Sequence, residues 1–168
     1  HLPIVRHPEN DYMLEETWLF EALTETYLPL IAHLTALRDD RIPFRLTMSL
    51  TPTLCSMFRD ELLQERYLRH LRRLIELAGK EIGRTAGHLE FSATARMYFD
   101  KFTQCRWLYE EQCGRDLVTA FKRFQDCGLL EIITCCATHA FLPNMQHQAP
   151  AVRAQVKVAA DSYRSFFG

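Results

Sequence analysis

Apolar residues recur along this chain at two spacings, and the places where the spacing changes mark element boundaries. From Trp18, residues Leu19, Leu23, Tyr27, Leu30, Ile31, Leu34 and Leu37 repeat at helical intervals. Pro29 within that run predicts a kink rather than a stop. In "FRLTMSL" the period falls to two: Phe44, Leu46, Met48 and Leu50 share one face, and Arg45, Thr47 and Ser49 the other, which predicts a strand. "TP" follows at 51–52, with Thr51 placed as N-cap and Pro52 as first helical residue. A long helical region then runs to about Arg84, its stripe made by Leu62, Leu63, Leu71, Leu74, Ile75, Leu77 and Ile82. "GRTAGHLE" (83–90) reads as a loop, and two helices follow over roughly 91–112 and 115–126, split by Gly114 and closed by Gly128. "LLEIIT" (129–134) is short, apolar and β-branched, as expected of a strand in a parallel sheet covered on both faces. After a Pro-containing loop at 143–150, "AVRAQVKVAADSYRSFF" predicts a last amphipathic helix. Residues 1–17, with two prolines and mixed polarity, read as a strand end and an irregular loop.

The order is strand end, helix, strand, helices, strand, helix, and this alternation implies an α/β fold whose parallel strands are joined by long helical crossovers. Two or three strands cannot close on themselves, and a complete barrel takes about 250 residues. The 168 residues therefore read as the first portion of a larger barrel domain, cut at both ends: His1 is not a Met, and "YRSFFG" stops where a helix would hand over to a loop. Functional groups in such folds gather at the C-terminal ends of strands. Three segments qualify: "HLP" at 1–3, "SLTP" at 49–52 and "CCATH" at 135–139.

Charge and composition narrow the function classes. A net charge of −1 argues against nucleic acid as a partner, since phosphate binding needs a clustered surplus of Lys and Arg. The densest basic run, "RYLRHLRRL" at 66–74, lies on a helical pattern between glutamates and reads as a solvated face. No apolar run approaches the ~18 residues of a membrane span, so no membrane partner is expected. The six cysteines lack framework spacing and follow no signal peptide, which favours reduced thiols in a cytoplasmic protein.

Candidate chemistry concentrates in "CCATH". A zinc site on Cys135, Cys136 and His139 is disfavoured, because adjacent strand residues point to opposite faces. A Cys nucleophile with His139 as base needs an electropositive, exposed thiol, whereas these surroundings are apolar and suggest buried, inert thiols. No other metal or cofactor is implied. His139 sits just past a strand end, where a barrel places its ligand groups, and equally where a histidine could merely cap its own loop. His1 could face the same pocket, while His7, in a polar loop, reads as solvent-exposed. Glu15/Glu16 and Glu110/Glu111 lie on helices or loop edges and read as solvated faces rather than an acid/base pair. There is no Gly-rich phosphate loop, G-x-S-x-G elbow or H-E-x-x-H.

"HLPIVRHPE", "WLFEALTETYLPLIAHL", "LLQERYLRHLRRLIELA" and "GLLEIITCCATHAFLP" occur in an order that resembles glycoside hydrolase family 57, in particular its 1,4-α-glucan branching enzyme branch. The resemblance covers essentially all of residues 1–168. It implies the N-terminal portion of an incomplete (β/α)7 TIM-like barrel, acting on an α-glucan substrate by a retaining mechanism without a metal. His1 then matches the second histidine of the family's H-x-H opening, and His139 the histidine of its A-T-H-G-[FY] motif; the resemblance implies both as substrate-binding residues, with His139 lining the subsite next to the scissile bond. Ala140 stands where the motif has Gly, a methyl expected to constrain the backbone or narrow the pocket. The "NMQHQAP" loop at 144–150 also departs from the family's acidic-containing loop. The resemblance places the glutamate nucleophile on the next strand and the aspartate acid/base later still, so no catalytic residue is expected in this chain. The rest of the barrel is expected C-terminally, and residues 1–168 alone are expected to be inactive. The parent activity implied is branching (α-1,4 cleavage with α-1,6 transfer, as in glycogen biosynthesis). Alternatives are an α-amylase or 4-α-glucanotransferase of the same family, or a non-catalytic glucan-binding derivative.

Overall fold

A computed structural model describes residues 2–168. The first periodic run forms α1 (Leu14–Ala22) and α2 (Leu28–Asp39), joined without interruption by one wide turn, Leu23–Tyr27, in which bonds reach back five residues. Pro29 explains that turn. A proline ring collides with the carbonyl four residues earlier and offers no N–H, and widening the preceding turn relieves both problems without breaking the helix. Leu28 N–H bonds the Leu23 carbonyl, so the Thr24 carbonyl, robbed of a helical donor, receives the Cys105 thiol at 3.6 Å. Helix α2 ends in a Schellman motif: Arg41 takes the left-handed position (φ 59°), and Ile42 N–H returns to the Leu37 carbonyl at 2.9 Å.

Strand β1 (Leu46–Ser49) is followed by α3 (Pro52–Phe58), capped by Thr51 as its sequence predicts, with Leu54 N–H donating to Thr51 Oγ1 at 3.3 Å. The helical region expected to run unbroken to Arg84 is interrupted at Arg59–Asp60. Asp60 caps a separate helix, α4 (Glu61–Arg84), by accepting from Leu63 N–H at 3.0 Å. Helix α5 (Leu89–Trp107) packs back on α4, continues through a second wide turn (Leu108–Gln112), and leads to α6 (Leu117–Asp126). Gly128 (φ 70°) closes α6 in the same Schellman geometry as Arg41, with Leu129 N–H on the Phe124 carbonyl. Strand β2 (Leu130–Ile133), a short 3₁₀ turn (Leu142–Met145) and α7 (Ala149–Phe167) complete the order.

β2 pairs parallel to β1, Leu46 opposite Leu130 and Ser49 opposite Ile133, with the four helices α3–α6 as crossover. Two expectations are corrected here. Residues 2–6 form no regular structure, although Val5 is buried, and among the described residues they pair with no strand. The sheet is covered on one face only: Leu130 and Ile132 enter the core, whereas Glu131 and Ile133 are exposed. The open face carries the Thr47 hydroxyl donating to the Glu131 carboxylate at 2.6 Å, and borders a concavity of about 610 Å³. Tyr163 of α7 donates its hydroxyl to the Ile132 carbonyl at 3.0 Å.

The core joins Leu19, Leu28 and Ile31 of the first helix to Leu54, Tyr67, Leu71, Phe121 and Phe124. A buried ion pair crosses it. Arg66 bonds Glu16, the His7 carbonyl (3.0 Å) and the Asn10 carbonyl (2.6 Å), and His7 N–H reaches Glu16 at 3.2 Å. Glu16 and Arg66 were each expected on solvated faces, yet they are 2% and 5% exposed. Their role is to fasten the irregular 7–13 loop to α4, supplying donors and acceptors for backbone that forms no regular structure. His7 is half-buried rather than exposed for the same reason.

Candidate functional site

Hydrogen bonds across the sheet gather the strand ends. Leu50 N–H donates to the Ile133 carbonyl (2.9 Å), and Thr134 returns its hydroxyl to the Leu50 carbonyl (3.2 Å), so the "SLTP" and "TCCATH" segments leave the sheet together. Thr53, whose hydroxyl lies 3.1 Å from that of Thr51, donates to the Leu2 carbonyl at 3.3 Å. That bond brings the "LP" of the opening motif to the same end. His1 lies outside the described residues.

The 134–141 segment is held by α7. Ala137 N–H donates to the Gln155 carbonyl (3.1 Å), Thr138 N–H to Gln155 Oε1 (3.0 Å), and Gln155 Nε2 to the Thr138 hydroxyl (2.9 Å). His139 N–H closes a tight turn onto the Cys136 carbonyl at 2.9 Å. His139 itself is left-handed (φ 57°), a conformation that costs an L-residue roughly 1–2 kcal/mol. Ala140 has no positive φ. The left-handed backbone of this turn belongs to the histidine, so the methyl of Ala140 does not meet the left-handed strain that a glycine there would avoid. The turn carries the imidazole back along the chain, where Nδ1 lies 3.3 Å from Cys135 Sγ.

The reading of Cys135 as a buried thiol is corrected here. Cys135 and Cys136 are both half-buried, and only Cys135 reaches the ring. Burial and the neighbouring Cys136 push the Cys135 thiol above its ordinary pKa, which disfavours the thiolate a nucleophile would need. Among the described residues no group of three His, Cys, Asp or Glu side chains could hold a metal ion. Beside the exposed His139, the Phe141 ring is 68% exposed. An imidazole that can hydrogen-bond and a bare aromatic face suit a polar ring such as a sugar, and the segment 134–141 contains no carboxylate to cleave one. An apolar groove of about 340 Å³ between Leu74, Leu77, Phe91 and Tyr98 lies on the α4–α5 hairpin rather than at the strand ends. Gln155 was invisible as a site residue in the sequence: it belongs to no motif, and it acts only through contacts made by folding.

All 168 residues match the model of glycosyl hydrolase family 57. The chain belongs to that family. A 1,4-alpha-glucan branching enzyme from Thermococcus kodakarensis is 29% identical over 170 residues, spanning the whole of this chain and 24% of the relative. Among solved structures, the alpha-amylase AmyC from Thermotoga maritima is 44% identical and superposes with a TM-score of 0.91 over 99% of this chain and 32% of its own. The family 57 branching enzyme of Pyrococcus horikoshii gives 0.92 at 27% identity, over all of this chain and 31% of its own. The chain thus spans between a quarter and a third of these relatives. Its architecture as a family 57 chain is α/β, mostly helical around a small parallel sheet. None of its described helices is long and apolar enough to cross a membrane.

Proposed function

We propose that this chain forms the N-terminal portion of the catalytic (β/α)7 barrel of a retaining, α-glucan-active family 57 enzyme, acting foremost as a 1,4-α-glucan branching enzyme. The observation that carries the reading is His139: an exposed, left-handed histidine at the C-terminal end of β2, in a chain that matches the family model throughout. His139 lines the glucan subsite beside the scissile bond, with Phe141 as an apolar platform for a sugar ring. His1 joins it from the opening motif, whose next residue, Leu2, is tied to the β1 end by Thr53. These groups bind and orient. Cleavage needs two carboxyls about 5 Å apart in a retaining site, and these come from the remainder of the barrel, which pairs beyond the open sheet. The enzyme cleaves an α-1,4 link, holds the glucosyl intermediate, passes it to a 6-hydroxyl, and works in the cytoplasm on glycogen-like polymer.

A second reading is α-amylase-type hydrolysis, favoured by the 44% identity to the Thermotoga maritima protein. Incubating the full-length protein with amylose separates the two: new α-1,6 linkages support branching, and reducing ends without them support hydrolysis. Residues 1–168 alone turn over no amylose in the same assay. Turnover by the short chain would overturn the assignment of the carboxylates to later sequence.

A further inference from the structure

We propose that the face of α4 carrying Arg66, Arg69, His70 and Arg73 is a phosphomonoester site whose lining suits a small sugar phosphate. These four residues recur at helical spacing and line one concavity of about 280 Å³, to which the loop before α1 contributes Asp11 and Tyr12. The concavity shares no residue with the 134–141 segment, so the site is independent of the reaction assigned to the parent enzyme.

A solvated basic face would have its charges either paired or wholly in water, and this one has neither. Arg66 is 5% exposed, and Glu16 with the His7 and Asn10 carbonyls takes its two terminal nitrogens. Its Nε is buried and has no hydrogen-bond partner among the described residues. A buried N–H without an acceptor is costly, and an oxyanion seated against Arg66 supplies one. Arg69 and Arg73 are exposed, and among the described residues neither guanidinium makes a hydrogen bond or an ion pair. Arg66 already matches the charge of Glu16, so Asp11 is the one carboxylate of the lining set against those two guanidiniums. Planar forks of N–H donors fit phosphate oxygens in pairs. His70 adds a neutral N–H: burial, foremost, and then Arg73 push its pKa down against the pull of Glu21, and Phe20 backs its ring at 5.3 Å.

The remaining lining favours an ester over the bare anion. A carboxylate such as Asp11 repels free phosphate but accepts from sugar hydroxyls. Tyr12, 67% exposed, offers an apolar ring face with a hydroxyl at its edge, which suits the face of a sugar. A volume just under the roughly 300–1,000 Å³ of ordinary ligand pockets holds one phosphorylated ring and not a polymer.

Calorimetric titration of the full-length protein with glucose 6-phosphate, in phosphate-free buffer at fixed ionic strength, tests the site. One equivalent binds per chain, and inorganic phosphate binds about tenfold more weakly. Arg69→Ala and Arg73→Ala each weaken the ester by about tenfold or more, the worth of a charge-assisted hydrogen bond. Arg72→Ala removes the same charge from an exposed position on the same helix outside the concavity, and it changes binding less than about twofold. Excess glucose does not displace the ester, which separates this site from the glucan subsite. Absence of saturable binding overturns the proposal, as does displacement by glucose. Equal losses in Arg72→Ala and Arg73→Ala also overturn it, since they would mean a general attraction to positive charge. Inorganic phosphate binding as tightly as the ester overturns the assignment of Asp11 and Tyr12 to a sugar.

Discussion

Thr24 and His139 both sit where the backbone leaves its regular path, one inside the helical crossover and one past the sheet. At Thr24 a wide helical turn is surrounded by partners. The Thr24 hydroxyl meets the Tyr67 hydroxyl at 3.0 Å, its carbonyl takes the Cys105 thiol, and Tyr67 stacks edge-on against Tyr109 with centroids 4.9 Å apart. Such turns frequently mark functional sites, yet Pro29 and close packing account for this one entirely. At His139 the departure is exposed, just past the end of β2. The cost is borne by a residue that could have been glycine, and what the fold obtains is an imidazole aimed over Cys135. Backbone strain by itself is therefore a poor guide to function, and strain on an exposed, chemically competent side chain is a better one.

Experiments can press on each half of this contrast. The largest effect belongs to the buried side. Arg66→Ala leaves Glu16 charged, unpaired and buried, and lowers unfolding free energy by about 3–5 kcal/mol; urea titration measures it, and a loss under 1 kcal/mol would mean the loop 7–13 is held by other contacts. Next comes alkaline sensitivity of the same interior. Burial, foremost, pushes the thiols of Cys55, Cys105 and Cys113 from an ordinary 9.0 up to about 12, 11 and 11. A folded-state pKa raised above the unfolded one gives stability that is fully present below pH 9 and is lost as pH climbs through 9 toward 11–12. The melting temperature is flat from neutral pH to about 8.5 and falls steadily above 9, and replacing Cys55 by Ala shallows that fall. The smallest change in stability comes from the exposed side. His139→Gly relieves the left-handed strain and raises stability by about 1 kcal/mol or less, while full-length activity on amylose drops by roughly ten- to a hundredfold. Loss of stability together with activity would make His139 a structural cap rather than a ligand.

How far the sequence could be read followed from the range of the signal. The period-two run at 44–50, the Thr51-Pro52 start and the Gly128 stop are local codes, written within a few residues, and each one appears in the structure at its expected place. The break at Asp60 was equally local: an Asp followed by "ELL" is an N-cap signal that the long apolar stripe on either side obscured. Glu16 and Arg66 were misread because they lie on different helices fifty residues apart, and each looks like an ordinary solvated charge until the other arrives. The expectation of a doubly covered sheet failed at Glu131 and Ile133 because only one face of these two strands has helices packed on it.

The same division runs through the candidate site. The family, the parallel strand pair and the position of His139 just past β2 were all determined by the sequence, since each depends on residue order and hydrophobic period along a short stretch. Tertiary structure alone decided that Gln155, arriving from α7, holds the histidine's turn, that the left-handed residue is His139 rather than Ala140, and that Cys135 is the thiol that meets the ring. These are distances of about 3 Å between atoms whose separation the chain pattern does not encode, and they exist only once the strand, the turn and the last helix have packed.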